Sequence, residues 1–167
     1  DEDRLYTANF HEGTLLIYKK AARGLRLEHR ILIASGAGCH QVLLFENKVL
    51  VPCMELDVIR LFDSQKGFAS AGEIAFPSGS GPRHGVFSPA GDRLYVAGQR
   101  SNTLFCFESG PHGFIPRWEL PLLEGERKPS DEAAAIRLSE DGRFLYLSVR
   151  GADCLTVWKV CTWRING

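Results

Sequence analysis

The sequence predicts an all-β protein built from repeated four-stranded antiparallel units, and three observations carry that prediction. The first is internal repetition: "LYTANFHEGTLLIYK", "VLVPCMELDVIRLFD", "LYVAGQRSNTLFCFE" and "LYLSVRGADCLTVWK" share one pattern, a β-rich run, a short polar turn and a second β-rich run. The second is period. The residues just before the second run are Gly13, Asp57, Asn102 and Asp153, spaced by 44, 45 and 51, and the longest interval holds the polar loop "EGERKPSDE". The third is the absence of helical periodicity over any long window, with two further strand candidates in each period instead. Four short antiparallel strands per period of this length are the signature of a β-propeller blade.

Each element follows from local chemistry. The hairpins lie near residues 5–18, 49–62, 94–107 and 145–158. After them come the strand candidates "RLEHRILIA", "SAGEIAF" and "PRWELPLL", then "HQVLLFE", "RHGVFSP" and "AAIRLSE". The last two lead into "SPAGDR" and "SEDGR", whose Gly and Asp suit tight turns. Consecutive apolar positions in several runs fit strands covered on both faces. A β-sandwich also has strands at regular spacing, but it does not call for similar hairpins at equal period. Residues 1–167 therefore read as a single partial β-propeller domain of about three and a half to four blades. An open arc leaves apolar faces at its ends, so further blades or a second copy of the chain are expected to complete it.

Composition narrows the function classes. Twenty basic and 20 acidic residues give zero formal net charge, which offers no bulk attraction to nucleic acid or a membrane surface. No apolar run approaches the roughly 20 residues that span a bilayer, and "DEDR" is not a signal peptide. A cytoplasmic location is expected. Cys39, Cys53, Cys106, Cys154 and Cys161 are odd in number and include no CxxC pair, so no zinc site is expected. Cys53, Cys106 and Cys154 lie in or beside apolar runs and read as buried reduced thiols.

Three stretches carry a family resemblance: "GCH" at 38–40 leading to "VLVPCMELDVIRLF", "GPRHGVFSPAGDRLYV" at 81–96, and "DGRFLYLSVRGAD" at 141–153. With them the chain resembles the seven-bladed lactonase family, which includes the propeller-type 6-phosphogluconolactonases of bacteria and the fungal carboxymuconate cyclases. The resemblance runs over nearly the whole chain, although the family is about twice as long. It implies hydrolysis of a phosphorylated sugar lactone in the pentose phosphate pathway, with no metal or organic cofactor and a small anionic sugar lactone as partner.

In a propeller the first strand of each blade lines the central channel, so residues at its start face the mouth. His40 and Arg83 take corresponding places in successive blades, and His40 to His84 is 44 residues, one period. Arg150 follows the second strand of the last blade. The expected catalytic set is His40, Arg83 and Arg150, with His84, Gln99 and Arg100 as substrate-binding residues and no metal ligand. Guanidinium groups bind phosphate or carboxylate bidentately and suit a developing oxyanion. An imidazole exchanges protons near neutral pH, which assigns acid/base work to His40. Side by side with this stands the structural reading: a histidine at a strand end is more often a packed residue, and Arg83 could pair with a turn carboxylate. Cys39 beside His40 suggests a nucleophile dyad, but strand neighbours point to opposite faces. His11 and Glu12 are further rim candidates.

Gln99 departs from the family pattern "YVVNE", which has glutamate where this chain has Gln99 and asparagine where it has Gly98. Glutamine hydrogen-bonds a hydroxyl but does not exchange a proton near pH 7. Arg150 keeps the arginine of the family's "NRG", with Val149 in place of its asparagine. Two classes of function therefore stand: a lactone hydrolase, and a non-catalytic propeller that binds a small anion or a protein.

Overall fold

The structure is a computed structural model that describes residues 3–111 and 113–160. Cys161 and the rest of "CTWRING" lie outside the described residues. The chain divides into two compact units, residues 1–84 and 85–167. No described helix is long and apolar enough to cross a membrane.

In the first unit, β1 (Arg4–Asn9), β2 (Thr14–Ala21) and β3 (Gly24–Leu32) form one antiparallel sheet. A second sheet holds β4 (Leu43–Phe45), β5 (Lys48–Cys53), β6 (Val58–Asp63) and β7 (Ala69–Ala75) in sequential order. Strand β8 (Pro82–Phe87) opens the next sheet and continues into the second unit, where β9 (Arg93–Gly98), β10 (Thr103–Gly110) and β11 (Gly113–Pro121) follow it. The last sheet is β12 (Glu132–Leu138), β13 (Phe144–Arg150) and β14 (Cys154–Lys159). These are propeller blades, each an up-and-down antiparallel meander.

The repeat extends to fine geometry. Asp57, Asn102 and Asp153 take left-handed backbone conformations, and Gly13 does the same at φ 65°. Each sits at the bend between the two strands of its hairpin, just before β2, β6, β10 or β14, where a tight turn needs positive φ. Pairing of β2 with β3, β6 with β7 and β10 with β11 slips once, at Ile17/Tyr18, Arg60/Phe62 and Cys106/Phe107. Such bulges add twist to a strand pair. In the turn at 88–93, the Ser88 hydroxyl donates to Asp92 (2.7 Å) and accepts from the Arg93 amide (3.0 Å). The turn at 139–144 repeats this, with Ser139 donating to Asp141 at 2.7 Å and accepting from Phe144 N at 2.9 Å.

Each unit has its own apolar core. In the first, Leu15 and Ile17 of β2 pack with Val49, Val51, Cys53, Val58 and Phe62. In the second, Ala97, Leu104 and Cys106 pack with Ile136, Leu145, Leu147 and Val149. Burial follows position: β5 and β9 are buried at five consecutive residues, whereas β13 alternates, one face covered and one less so.

Two expectations need correction. "HQVLLFE" was expected as a full strand, but β4 spans only Leu43–Phe45: residues 40–42 stay outside the ladder with β5, and Glu46 turns left-handed at φ 51° and ends it. Cys154 is half-buried rather than buried: β14 is the outer strand of its sheet and alternates between half-buried and exposed positions.

Candidate functional site

The site begins with loops that are fastened to hairpin turns. In the first blade, Gly13 lets residues 33–38 close tightly: a β-carbon there would sit 1.7 Å from the carbonyl oxygen of Ala34. The amides of Gly36 and Gly38 donate to the carbonyls of His11 and Phe10, at 3.1 and 3.2 Å. This delivers His40, whose amide donates to Pro52 O at 3.1 Å. In the second blade the equivalent turn residue is Asp57. Its two carboxylate oxygens accept from the amides of Gly79 and Gly81, 2.8 Å each, immediately ahead of Pro82, Arg83 and His84. Loops 33–42 and 76–84 are thus held from the same turn position by two different devices.

These loops gather a row of rings in the first unit. The His40 and His84 rings meet edge to face, centroids 5.6 Å apart. Phe10 packs on His40 and on His11, 5.1 Å in each case. Arg83 Nη1 lies 3.3 Å from both ring nitrogens of His84. Those nitrogens direct their in-plane bonding away from each other, so one atom near both lies against the ring face, a stacked guanidinium–imidazole contact. His40, Arg83 and His84 are all half-buried. Two proton-exchanging rings and one permanent cation therefore share one side of this unit. Phe10, which separates His11 from His40, carries no chemistry in its residue type and was not picked out from the sequence.

The remaining candidates lie in the second unit. Arg150 is exposed, and its Nη2 lies 2.7 Å from Glu132 Oε2. The two residues face each other across β12 and β13, which fixes the pair. Arg150 thus already has a carboxylate partner, which could have been foreseen only with the register in hand. Gln99 is buried; its backbone carbonyl accepts from Ala133 N at 3.2 Å, while its side-chain Oε1 has no hydrogen-bond partner. Arg100 is exposed, and its carbonyl accepts from Arg127 Nη1 at 2.7 Å, so the "EGERKPSDE" loop folds back on this turn. Asn102, in the position of Asp57, donates its amide to Asp131 O at 2.5 Å. Glu12 accepts from Thr14 and from Arg30, both at 3.3 Å, as a turn-bracing carboxylate.

Cys39 and His40 do not form a dyad. Cys39 is buried, with its sulfur 4.0 Å from that of Cys53, while His40 turns to Phe10 and His84. Among the described residues no three His, Cys, Asp or Glu side chains gather as a metal-binding group.

Comparison with known proteins places this architecture. A 6-phosphogluconolactonase of Klebsiella pneumoniae is 30% identical over 93% of this chain and 49% of its own length. A Lactococcus lactis protein is 31% identical over 96% of this chain and 52% of its own. The chain spans about half the length of the curated relatives it matches. A crystal structure of a Lactobacillus plantarum protein superposes with a TM-score of 0.85 at 28% identity, covering 94% of this chain and 50% of that one. The family description "Lactonase, 7-bladed beta-propeller" matches residues 1–163. Blade sequence, blade geometry and these matches agree, and the chain belongs to the seven-bladed β-propeller lactonase family.

Proposed function

We propose that this protein hydrolyses a sugar lactone, with a phosphorylated sugar lactone as the substrate class and the pentose phosphate pathway as its setting in the cytoplasm. The observation that carries the reading is the joint placement of His40, His84 and Arg83 on one side of the first unit. Ring opening of a lactone passes through a tetrahedral oxyanion. Arg83 supplies permanent positive charge for that oxyanion or for the phosphate. His40 takes a proton from the attacking water and returns one to the leaving alkoxide, and His84 is the second imidazole in line. No organic cofactor is required by this chemistry. Arg150 contributes to anion binding by exchanging Glu132 for substrate, and Gln99 and Arg100 serve as hydrogen-bonding residues on their turn.

A second reading, a propeller that binds a small anion or a protein without catalysis, draws on Gln99 and on the Arg150–Glu132 pair. The first residue does not exchange protons, and the second pair offers a neutralised cation. The deciding experiment is hydrolysis of 6-phosphogluconolactone and of unphosphorylated gluconolactone by the purified chain, with its mass in solution measured alongside. Turnover that falls in His40→Ala and Arg83→Ala supports the hydrolase; binding of the phosphorylated sugar acid with no turnover supports the second reading.

A further inference from the structure

We propose that Cys39 and Cys53 form a reversible oxidation site that closes as a cross-strand disulfide. Their sulfurs lie 4.0 Å apart, and the two residues face each other as an isolated antiparallel bridge. The bridge is flanked by the hydrogen bonds His40 N to Pro52 O and Met54 N to Gly38 O, both 3.1 Å. That pattern makes 39 and 53 a non-hydrogen-bonded pair, the kind whose Cα atoms stand about 4.5 Å apart. A disulfide accepts Cα separations of about 4.4 to 6.8 Å, so the S–S bond forms with side-chain rotation and little backbone movement.

The two thiols are unequal. The hydrogen bond from Cys53 favours the Cys39 thiolate and lowers its pKa from the ordinary thiol value. The same bond, with burial, pushes the Cys53 thiol up. Cys39 is therefore the attacking sulfur and Cys53 the resolving one. The oxidant class is a hydroperoxide. Cys39 thiolate attacks the peroxide oxygen and becomes a sulfenic acid as hydroxide leaves; the Cys53 sulfur then attacks the Cys39 sulfur and displaces the sulfenic hydroxyl as water. With hydrogen peroxide, two thiols and one peroxide give one disulfide and two waters. Both residues are buried, at 1% and 0% exposure, so the oxidant must be small and must enter by local opening. That opening must release segment 33–42, which lies outside the strands and is held by the amides of Gly36 and Gly38 on the carbonyls of His11 and Phe10.

The site is independent of lactone chemistry, and its test reads sulfur alone. The reduced full chain is treated with a small excess of hydrogen peroxide, remaining thiols are alkylated, and the protein is cut with trypsin. Cleavage places Cys39 on peptide 31–48 and Cys53 on peptide 49–60. The expected product is these two peptides joined with the loss of two hydrogens, separated again by dithiothreitol. Cys39→Ser and Cys53→Ser each abolish it, and Cys106→Ser with Cys154→Ser leaves it intact. The proposal is overturned if wild-type peptides 31–48 and 49–60 stay unjoined, or if Cys39 is recovered as sulfinic acid or linked to another cysteine.

Discussion

Asp57 holds the amides of both Gly79 and Gly81 at 2.8 Å, one on each carboxylate oxygen, and so fixes the segment 79–81 that leads into Pro82, Arg83 and His84. The carboxylate is also at a left-handed position, where aspartate is better tolerated than most residues. Loss of two charge-assisted bonds costs about 1.5 to 3 kcal/mol each when a donor stays dry, and less where water replaces it. Asp57→Ala is expected to destabilise the chain by about 2 kcal/mol and to lower any lactone turnover without touching substrate. Asp57→Asn restores part of both. Urea unfolding together with kinetics on the three proteins checks this.

Gly13→Ala meets a harder obstacle, since the new methyl would stand 1.7 Å from Ala34 O at φ 65°. The expected loss exceeds about 1 kcal/mol. Far-UV circular dichroism is the suitable probe, because the tryptophans among the described residues, Trp118 and Trp158, belong to the second unit.

Leu147 is fully buried in the second core. Leu147→Ala is expected to destabilise by about 2 to 5 kcal/mol, read from tryptophan fluorescence during urea unfolding.

Acid sensitivity follows from Asp63. Lys48 Nζ sits 2.8 Å from its carboxylate and the Gln65 amide donates at 3.0 Å, holding its pKa below the ordinary carboxylate value. Asp141, bonded to Ser139 and Arg143, is lowered as well. A depressed folded pKa means the stabilisation is complete above the unfolded value of about 3.9 and is lost as pH falls through the folded value. The thermal midpoint should therefore drop on acidification below about pH 4, and Asp63→Asn should make that drop shallower.

For the candidate site, Arg83→Ala is expected to reduce lactone kcat/KM by about 10²- to 10³-fold and His40→Ala by about 10²- to 10⁴-fold. Steady-state kinetics measures both, and unchanged turnover in the two variants removes these residues from the chemistry.

The blades were legible because the sequence repeats the same local problem. Gly13, Asp57, Asn102 and Asp153 stand where the chain must take positive φ, and few residue types do so cheaply, so composition marks the turns. Ser-x-x-Gly-Asp and Ser-x-Asp-Gly turns were readable for the same reason. The pairing of Arg150 with Glu132 was not readable, because it depends on strand register rather than on residue type. The Cys39–Cys53 approach likewise needs the bridge between a loop and β5, two segments with no shared pattern. Phe10 was silent because an aromatic in a turn says nothing of the imidazole that will pack on it.

The fastening of the linkers has a consequence for how such a chain diversifies. The first linker closes over a missing side chain at Gly13, the second is caught by a carboxylate at Asp57, and the third by an amide at Asn102. A duplicated blade is interchangeable only if its turn residue and the linker it catches travel together. Recombination between blades should therefore succeed when the crossover falls between β4 and β5, for example, and fail when it separates a turn from its linker, as a crossover between β6 and β7 would.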